Sequence, residues 1–282
     1  MSSWRLLPRC LSPTPEVFRL VATDVDGTLL VDSQITTRTR QALRLAIEAG
    51  LKVALVSARA PRSIKWVAEN ASLDGFAICL NGALIYDLDK EEVVKVWPLN
   101  RPTVFRVVEQ LRKELPGICF HWEKENGFGR EPAYESLAGP LLDHEPPIRV
   151  LCDVLEEPDS IAKLVARHPG LESGPLRERA GAVLETDVHV TLSDPRFIEI
   201  TAEGVTKASA LAWLCESLGV RSQEVIAFGD MTNDIEMLSW AGHSVAMGNA
   251  PDAVKGAADE VALDAVDDGL AIVLERILDD VH

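Results

Sequence analysis

Apolar residues in this chain gather in short runs, separated by stretches in which they recur every three or four positions. That pattern predicts strands alternating with amphipathic helices. Residues 18–22, broken only by Arg19, read as a buried strand. Thr36 or Thr37 can cap a helix with Ala42, Leu43, Ala46 and Ile47 on its apolar face, and Gly50 ends it. Residues 52–56 predict a second, β-branched strand running into Ser57-Ala58-Arg59, and Pro61 suits the first turn of a helix reaching Ala71. A third strand over 76–80 ends at Asn81-Gly82. Strands and helices alternating at these lengths predict a parallel sheet with right-handed crossovers.

The rhythm changes near residue 84. Residues 84–86 and 93–97, joined by the charged run 87–92, predict a hairpin, and a helix follows over 102–115. Residues 127–147 are rich in Gly, Pro and charge, with no clear period. Further on, 149–155 reads as a strand, 160–167 as a helix and 183–192 as a strand. The block 85–192 is thus expected to be an α+β unit inserted into the first domain. The βα rhythm resumes with a strand at 197–200, a helix over 207–218, a strand over 224–228 ending at Gly229-Asp230, and a helix over 235–241. A strand at 244–247, a short helix at 252–258, an edge strand at 260–263 and a helix over 268–278 complete it. The first domain is therefore expected to be discontinuous, over 17–84 and 193–282.

With 282 residues the chain has room for about two domains. Hydrophobic content of 47% and charged content of 26% are ordinary for a soluble globular protein. A net charge of −16 argues against nucleic acid or an anionic membrane as partner, because polyanions attract Lys and Arg. It leaves room for a small phosphorylated substrate at a locally positive site. Cys10, Cys79, Cys119, Cys152 and Cys215 are dispersed with no CxxC pair, which suits free thiols in a reducing cytoplasm. No apolar run approaches the ~20 residues of a membrane span. Residues 1–16 contain Arg5, Arg9 and prolines but no apolar signal-peptide segment, and read as an unstructured tail. Oligomeric state is not legible.

The densest chemistry lies in Asp24-Val25-Asp26-Gly27-Thr28, at the C-terminal end of the first strand. In open α/β sheets ligands bind at that edge. Alternation along an extended chain points Asp24 and Asp26 the same way. Two crowded carboxylates need a cation or a shared proton, and hard oxygen ligands favour Mg²⁺. A plain surface turn is the alternative, since Asp-Gly often marks one.

That motif, then Ser57, then Lys207 preceded by Gly204-Val205-Thr206, then Gly229-Asp230-Met231-Thr232-Asn233-Asp234, form four motifs in order. Together they resemble the haloacid dehalogenase superfamily, specifically its Cof-type phosphatases, from about residue 18 to 278. The resemblance implies an α/β fold: a doubly wound parallel-sheet core with an inserted α+β cap domain. It also implies an aspartyl-phosphate mechanism, with Asp24 as nucleophile and Asp26 as the group that protonates the leaving alkoxide and then activates water. Asp24, the Asp26 backbone carbonyl and Asp230 are implied to hold Mg²⁺, with Asp234 orienting the metal shell or Lys207.

Ser57 suits a phosphate oxygen, or alternatively the N-cap of the next helix. Ala58 stands where the family usually has Gly; its N–H is kept, so phosphate contact is expected to survive. Lys207 opens a helix, where a cation opposes the macrodipole; that favours neutralising phosphate and Asp24 over a solvated surface role. Asn233 is implied to bind phosphate or metal water, against a simple capping role. Asn81-Gly82 is either a substrate contact or a hairpin turn. Of His121, Trp122, Glu123, Arg130 and His189, all able to reach a leaving group, none is singled out. The expected activity is Mg²⁺-dependent hydrolysis of a small phosphorylated metabolite (sugar, nucleotide or cofactor phosphate). The alternatives are a phosphosugar mutase and a non-catalytic sensor of phosphorylated metabolites.

Overall fold

β1 (Leu20–Thr23) is buried along its whole length and occupies the middle of an eight-stranded sheet. The computed structural model describes residues 18–125, 127–138, 161–184 and 186–279. The expected tail (1–16) and the expected strand at 149–155 lie outside them. α1 (Thr37–Glu48) follows β1 and is capped by Thr36, whose side chain accepts the Thr39 N–H. Then come β2 (Lys52–Val56), α2 (Pro61–Ala71) with Pro at its first position, and β3 (Phe76–Cys79). β4 (Leu84–Asp87) and β5 (Glu92–Val96) form the hairpin.

Next stand α3 (Arg101–Glu114), β6 (Cys119–Lys124), β7 (Gly127–Arg130), α4 (Pro132–Ala138), β8 (Ile161–Arg167), α5 (Ser173–Val183), β9 (Val188–Asp194) and β10 (Phe197–Ala202). α6 (Lys207–Leu218), β11 (Val225–Gly229), α7 (Ile235–Trp240), β12 (His243–Ala246), α8 (Asp252–Lys255), β13 (Glu260–Val261) and α9 (Gly269–Asp279) complete the chain.

The first sheet runs β13-β12-β11-β1-β2-β3-β4-β5, parallel from β13 to β3 and antiparallel through the hairpin. Alternation along β1 sends Val21 to the face covered by α1, α2 and α9, and Leu20 and Ala22 to the face covered by α6 and α7. This is the doubly wound arrangement expected from the sequence.

The second sheet, β7-β6-β8-β10-β9, is antiparallel throughout. α3 and α5 cover one face through Val104, Val107, Leu111, Leu176 and Ala180.

Three expectations are corrected. The hairpin assigned to the inserted unit instead extends the first sheet, because β4 pairs with β3. β10, assigned to the core, pairs with β8 and β9 in the second sheet. The segment read as a helix at 160–167 is β8, the central strand of that sheet. Its Ala, Lys, Leu and Arg favour helix in isolation, but pairing on both sides overrides that weak preference. In the stretch with no clear period, β7 and α4 form.

Candidate active site

Because β1, β2, β11 and β12 run parallel, their C-terminal ends share one edge, with neighbouring strands about 4.8 Å apart. Asp24 follows β1, Ser57 follows β2, Asp230 follows β11 and Asn249 lies just past β12. Residues scattered over more than 220 positions of sequence thereby converge within a few strand spacings.

Lys207 is the hub. It is 2% exposed, and its Nζ donates to Asp24 Oδ1 at 2.5 Å and to Asp234 Oδ1 at 2.6 Å. Burial alone would lower the ammonium's pKa, but Asp234 and Asp24 outweigh it and hold the group charged. Gly82, at φ +99°, lets the Leu80–Gly82 turn press against the Thr206 carbonyl, just before the helix that carries the lysine. Asp234 Oδ2 accepts the backbone N–H groups of Asp230 and Met231 at 3.1 and 2.9 Å. Both oxygens of Asp234 are therefore already engaged.

Asp230 accepts a hydrogen bond from Thr28 Oγ1 at 2.9 Å, and Asn249 Nδ2 donates to Gly27 O at 2.9 Å. Gly27 has φ +84°, and a Cβ there would collide with the Asp230 carboxylate, so glycine is required twice over. Burial pushes Asp24 well above the usual carboxylate range; Lys207 opposes this, while Asp234 and Asp230 add to it. Burial, then Asp234, pushes Asp230 up to about 6. One oxygen from each of Asp24, Asp230 and Asp234 lies within 4.8 Å of the others. Three buried carboxylates against one lysine leave an excess of negative charge and hard oxygen donors, a donor set that fits a divalent cation such as Mg²⁺.

Asp26 is separate from that cluster. Its carboxylate is held by Arg59, Nε to Oδ2 at 2.8 Å and Nη2 to Oδ1 at 2.6 Å, and is half-exposed. As a metal-ligand candidate it therefore retains only its backbone carbonyl, and its side chain is free of the cation site. Ser57 does not cap α2, whose N-cap is Ala60; its Oγ accepts the Arg59 N–H at 3.1 Å. The Ala58 carbonyl accepts Lys163 Nζ from the second sheet at 2.7 Å.

Asn81 sits in the Leu80–Gly82 turn between antiparallel β3 and β4, so the turn alternative is realised. Its side chain is spent within the protein: Nδ2 donates to Glu199 Oε2 at 2.8 Å and Oδ1 accepts from Asn233 at 3.1 Å.

Asp24, Asp26, Ser57, Ala58 and Asn233 line a cleft of about 660 Å³ between the two sheets. Lys207 and Asn81 lie behind it, lining a smaller recess of about 100 Å³ that also includes Asn233. The second sheet contributes His121, Glu123, Lys163, Arg167 and Glu199 to the larger cleft, two of them left undecided by sequence, and α4 adds Tyr134. Arg130 is instead packed in the interior beside Glu135. Sequence reasoning passed over Arg59, Lys163, Glu199 and Asn249. Arg59 and Asn249 carried a signal, since each follows the end of a parallel strand. Lys163 and Glu199 carried none, because one was read as helical and the other as core.

The haloacid dehalogenase-like hydrolase family profile matches residues 21–274. The chain is 33% identical to 5-amino-6-(5-phospho-D-ribitylamino)uracil phosphatase YcsE of Bacillus subtilis, covering 90% of this chain and 93% of that one. It is 29% identical to pyridoxal phosphate phosphatase YbhA of Escherichia coli, covering 90% and 96%. A solved phosphatase of the haloalkanoate dehalogenase superfamily from Bacteroides thetaiotaomicron superposes with TM-score 0.80 at 25% identity, covering 98% and 99%. The fold, the ordered motifs and these matches agree: the chain belongs to the haloacid dehalogenase-like hydrolase family, Cof-type, and is a hydrolase of phosphate monoesters.

Proposed function

We propose that the protein is a cytoplasmic, Mg²⁺-dependent phosphatase of small phosphorylated metabolites that works through an aspartyl-phosphate on Asp24. The observation carrying this reading is the placement of Asp24 on the cleft wall, bound to Lys207 and grouped with Asp230 and Asp234. A carboxylate oxygen of Asp24 forms a bond to phosphorus while the ester P–O bond breaks, and the leaving oxygen takes a proton from Asp26. Asp26 then takes a proton from the water that displaces Asp24 and releases phosphate. Arg59 occupies both Asp26 oxygens, so proton transfer requires one of those hydrogen bonds to open.

Asp24, Asp230 and the Asp26 carbonyl would hold Mg²⁺, which when bound neutralises phosphate oxygens. Asp234 keeps Lys207 in place, and Lys207 with Ser57 and the Ala58 N–H offers donors to the phosphoryl group. The relatives named for pyridoxal phosphate and for a phosphoribitylamino-uracil support a metabolite bearing a planar ring as the substrate class. No described helix is long and apolar enough to cross a membrane. Cys79, Cys119 and Cys215 are unpaired and buried, which supports a reducing compartment.

The test is phosphate release from p-nitrophenyl phosphate and a panel of metabolites. Activity should vanish with EDTA, return with Mg²⁺, and be lost in Asp24→Asn while circular dichroism is unchanged. Substantial turnover by that variant would sink the nucleophile assignment, and dependence on a bisphosphate activator without net phosphate release would indicate a mutase.

A further inference from the structure

Strand register orders the side chains that the second sheet presents to the cleft. Along β8, Lys163, Val165 and Arg167 face the cleft at a period of two, while Leu164 and Ala166 enter the core under α3 and α5. Glu123, His121 and Cys119 of β6 stand opposite these three in turn, and Glu199 of β10 stands opposite Val165. The near end is fixed, because Lys163 bonds the Ala58 carbonyl beside Ser57. Arg167 is four residues further, about 13 Å along the strand at ~3.3 Å per residue.

Charge pairing singles out that far end. Arg59 is held by Asp26, Arg62 by Glu123, Lys163 by Glu199 and Arg196 by Asp194. Arg167, partly buried, makes no side-chain hydrogen bond or ion pair among the described residues, yet it lines the same cleft. Beside it Tyr134, Phe197, Val165 and Cys119 form a small apolar cluster. A guanidinium offers parallel donors in a plane, suited to two oxygens of an imide or carboxylate, and the aromatic rings suit a flat partner.

We propose that Arg167 is a specificity residue that recognises the far end of an elongated phosphomonoester, in which a spacer joins the phosphate to a planar ring bearing oxygen acceptors. This rests on the phosphatase reading above and narrows its substrate class. On that spacing along β8, a triose or hexose phosphate, or a phosphate carried on a ring by a single carbon, would leave Arg167 unengaged.

The experiment compares kcat/KM for flavin mononucleotide, whose ribityl spacer carries a ring imide, with that for pyridoxal 5′-phosphate and p-nitrophenyl phosphate. Wild type should favour the elongated ester. Arg167→Ala should lower kcat/KM for flavin mononucleotide about 10- to 100-fold, chiefly through KM, the loss expected for a charge-assisted hydrogen-bond pair. Both short esters should stay within about twofold, which also shows that the variant folds. Arg167→Lys should restore only part, lacking the fork. Equal losses on all three esters, no loss on flavin mononucleotide, or a wild-type preference for the short esters would each overturn the proposal with the phosphatase reading intact. No turnover of any ester by wild type with Mg²⁺ would sink both.

Discussion

Glu123 makes the stability of this protein depend on pH in a window set by geometry. It is 5% exposed, and its two oxygens accept from Arg62 at 2.7 Å each, with His121 Nε2 at 2.8 Å. Burial alone would raise its pKa, but the hydrogen bonds from Arg62 and His121 outweigh burial and hold it at about 2, against an ordinary 4.5. A folded value below the unfolded one means that the contribution is complete above about pH 4.5 and is lost as pH falls toward 2. The difference corresponds to about 3 kcal/mol at neutral pH, an upper figure because Arg62 is exposed on its far side. About 2 kcal/mol of it should disappear between pH 5 and pH 3. Denaturant unfolding of wild type and Glu123→Gln across that range tests this, since the glutamine keeps the shape and does not titrate. The stability gap between the two proteins should narrow steadily as pH falls. A gap that stays constant from pH 7 to pH 3 would refute the reasoning.

Lys207→Met leaves Asp24 and Asp234 buried without their shared cation. Unfolding experiments in EDTA should show a loss of about 3–5 kcal/mol, and turnover should fall by orders of magnitude; near wild-type stability would contradict the role of Lys207 as hub. Gly27→Ala forces a side chain at φ +84° into the Asp230 carboxylate. Mg²⁺ titrations of activity should then require much higher metal, with the overall fold retained by circular dichroism, and an unchanged Mg²⁺ dependence would count against the close approach.

The parallel part of the first sheet was legible because its strands are short apolar runs bounded by Gly, Asp-Gly and helix caps, signals that act locally, whereas its hairpin edge was assigned to the inserted unit. Asp24, Ser57, Lys207 and Asp230 were legible for a related reason: each sits at a strand end or helix start, where a polar residue needs an explanation. The second sheet was harder to read. The residues of β8 have helix-forming side chains, and only pairing with β6 and β10 makes them a strand. Glu199 looked like part of a core strand, since nothing local reveals that β10 pairs with β8. Asp26 was read through alternation and the family resemblance, neither of which gives its partner, Arg59, 33 residues away.

β10 ends at Ala202 and α6 opens at Lys207, so along the chain only residues 203–206 separate the second sheet from the hub lysine. The end of that tether is stiff, because Thr206 and Ser209 bond each other's backbone and the Thr206 carbonyl is wedged against Gly82. Slack is concentrated at Gly204, at φ +70° with open space around it. Along this backbone, a displacement of β10 meets Gly204 before it meets Lys207. The stretch that leaves the second sheet is thus also the one that delivers the ammonium to Asp24, so the cleft's two walls share one short piece of backbone.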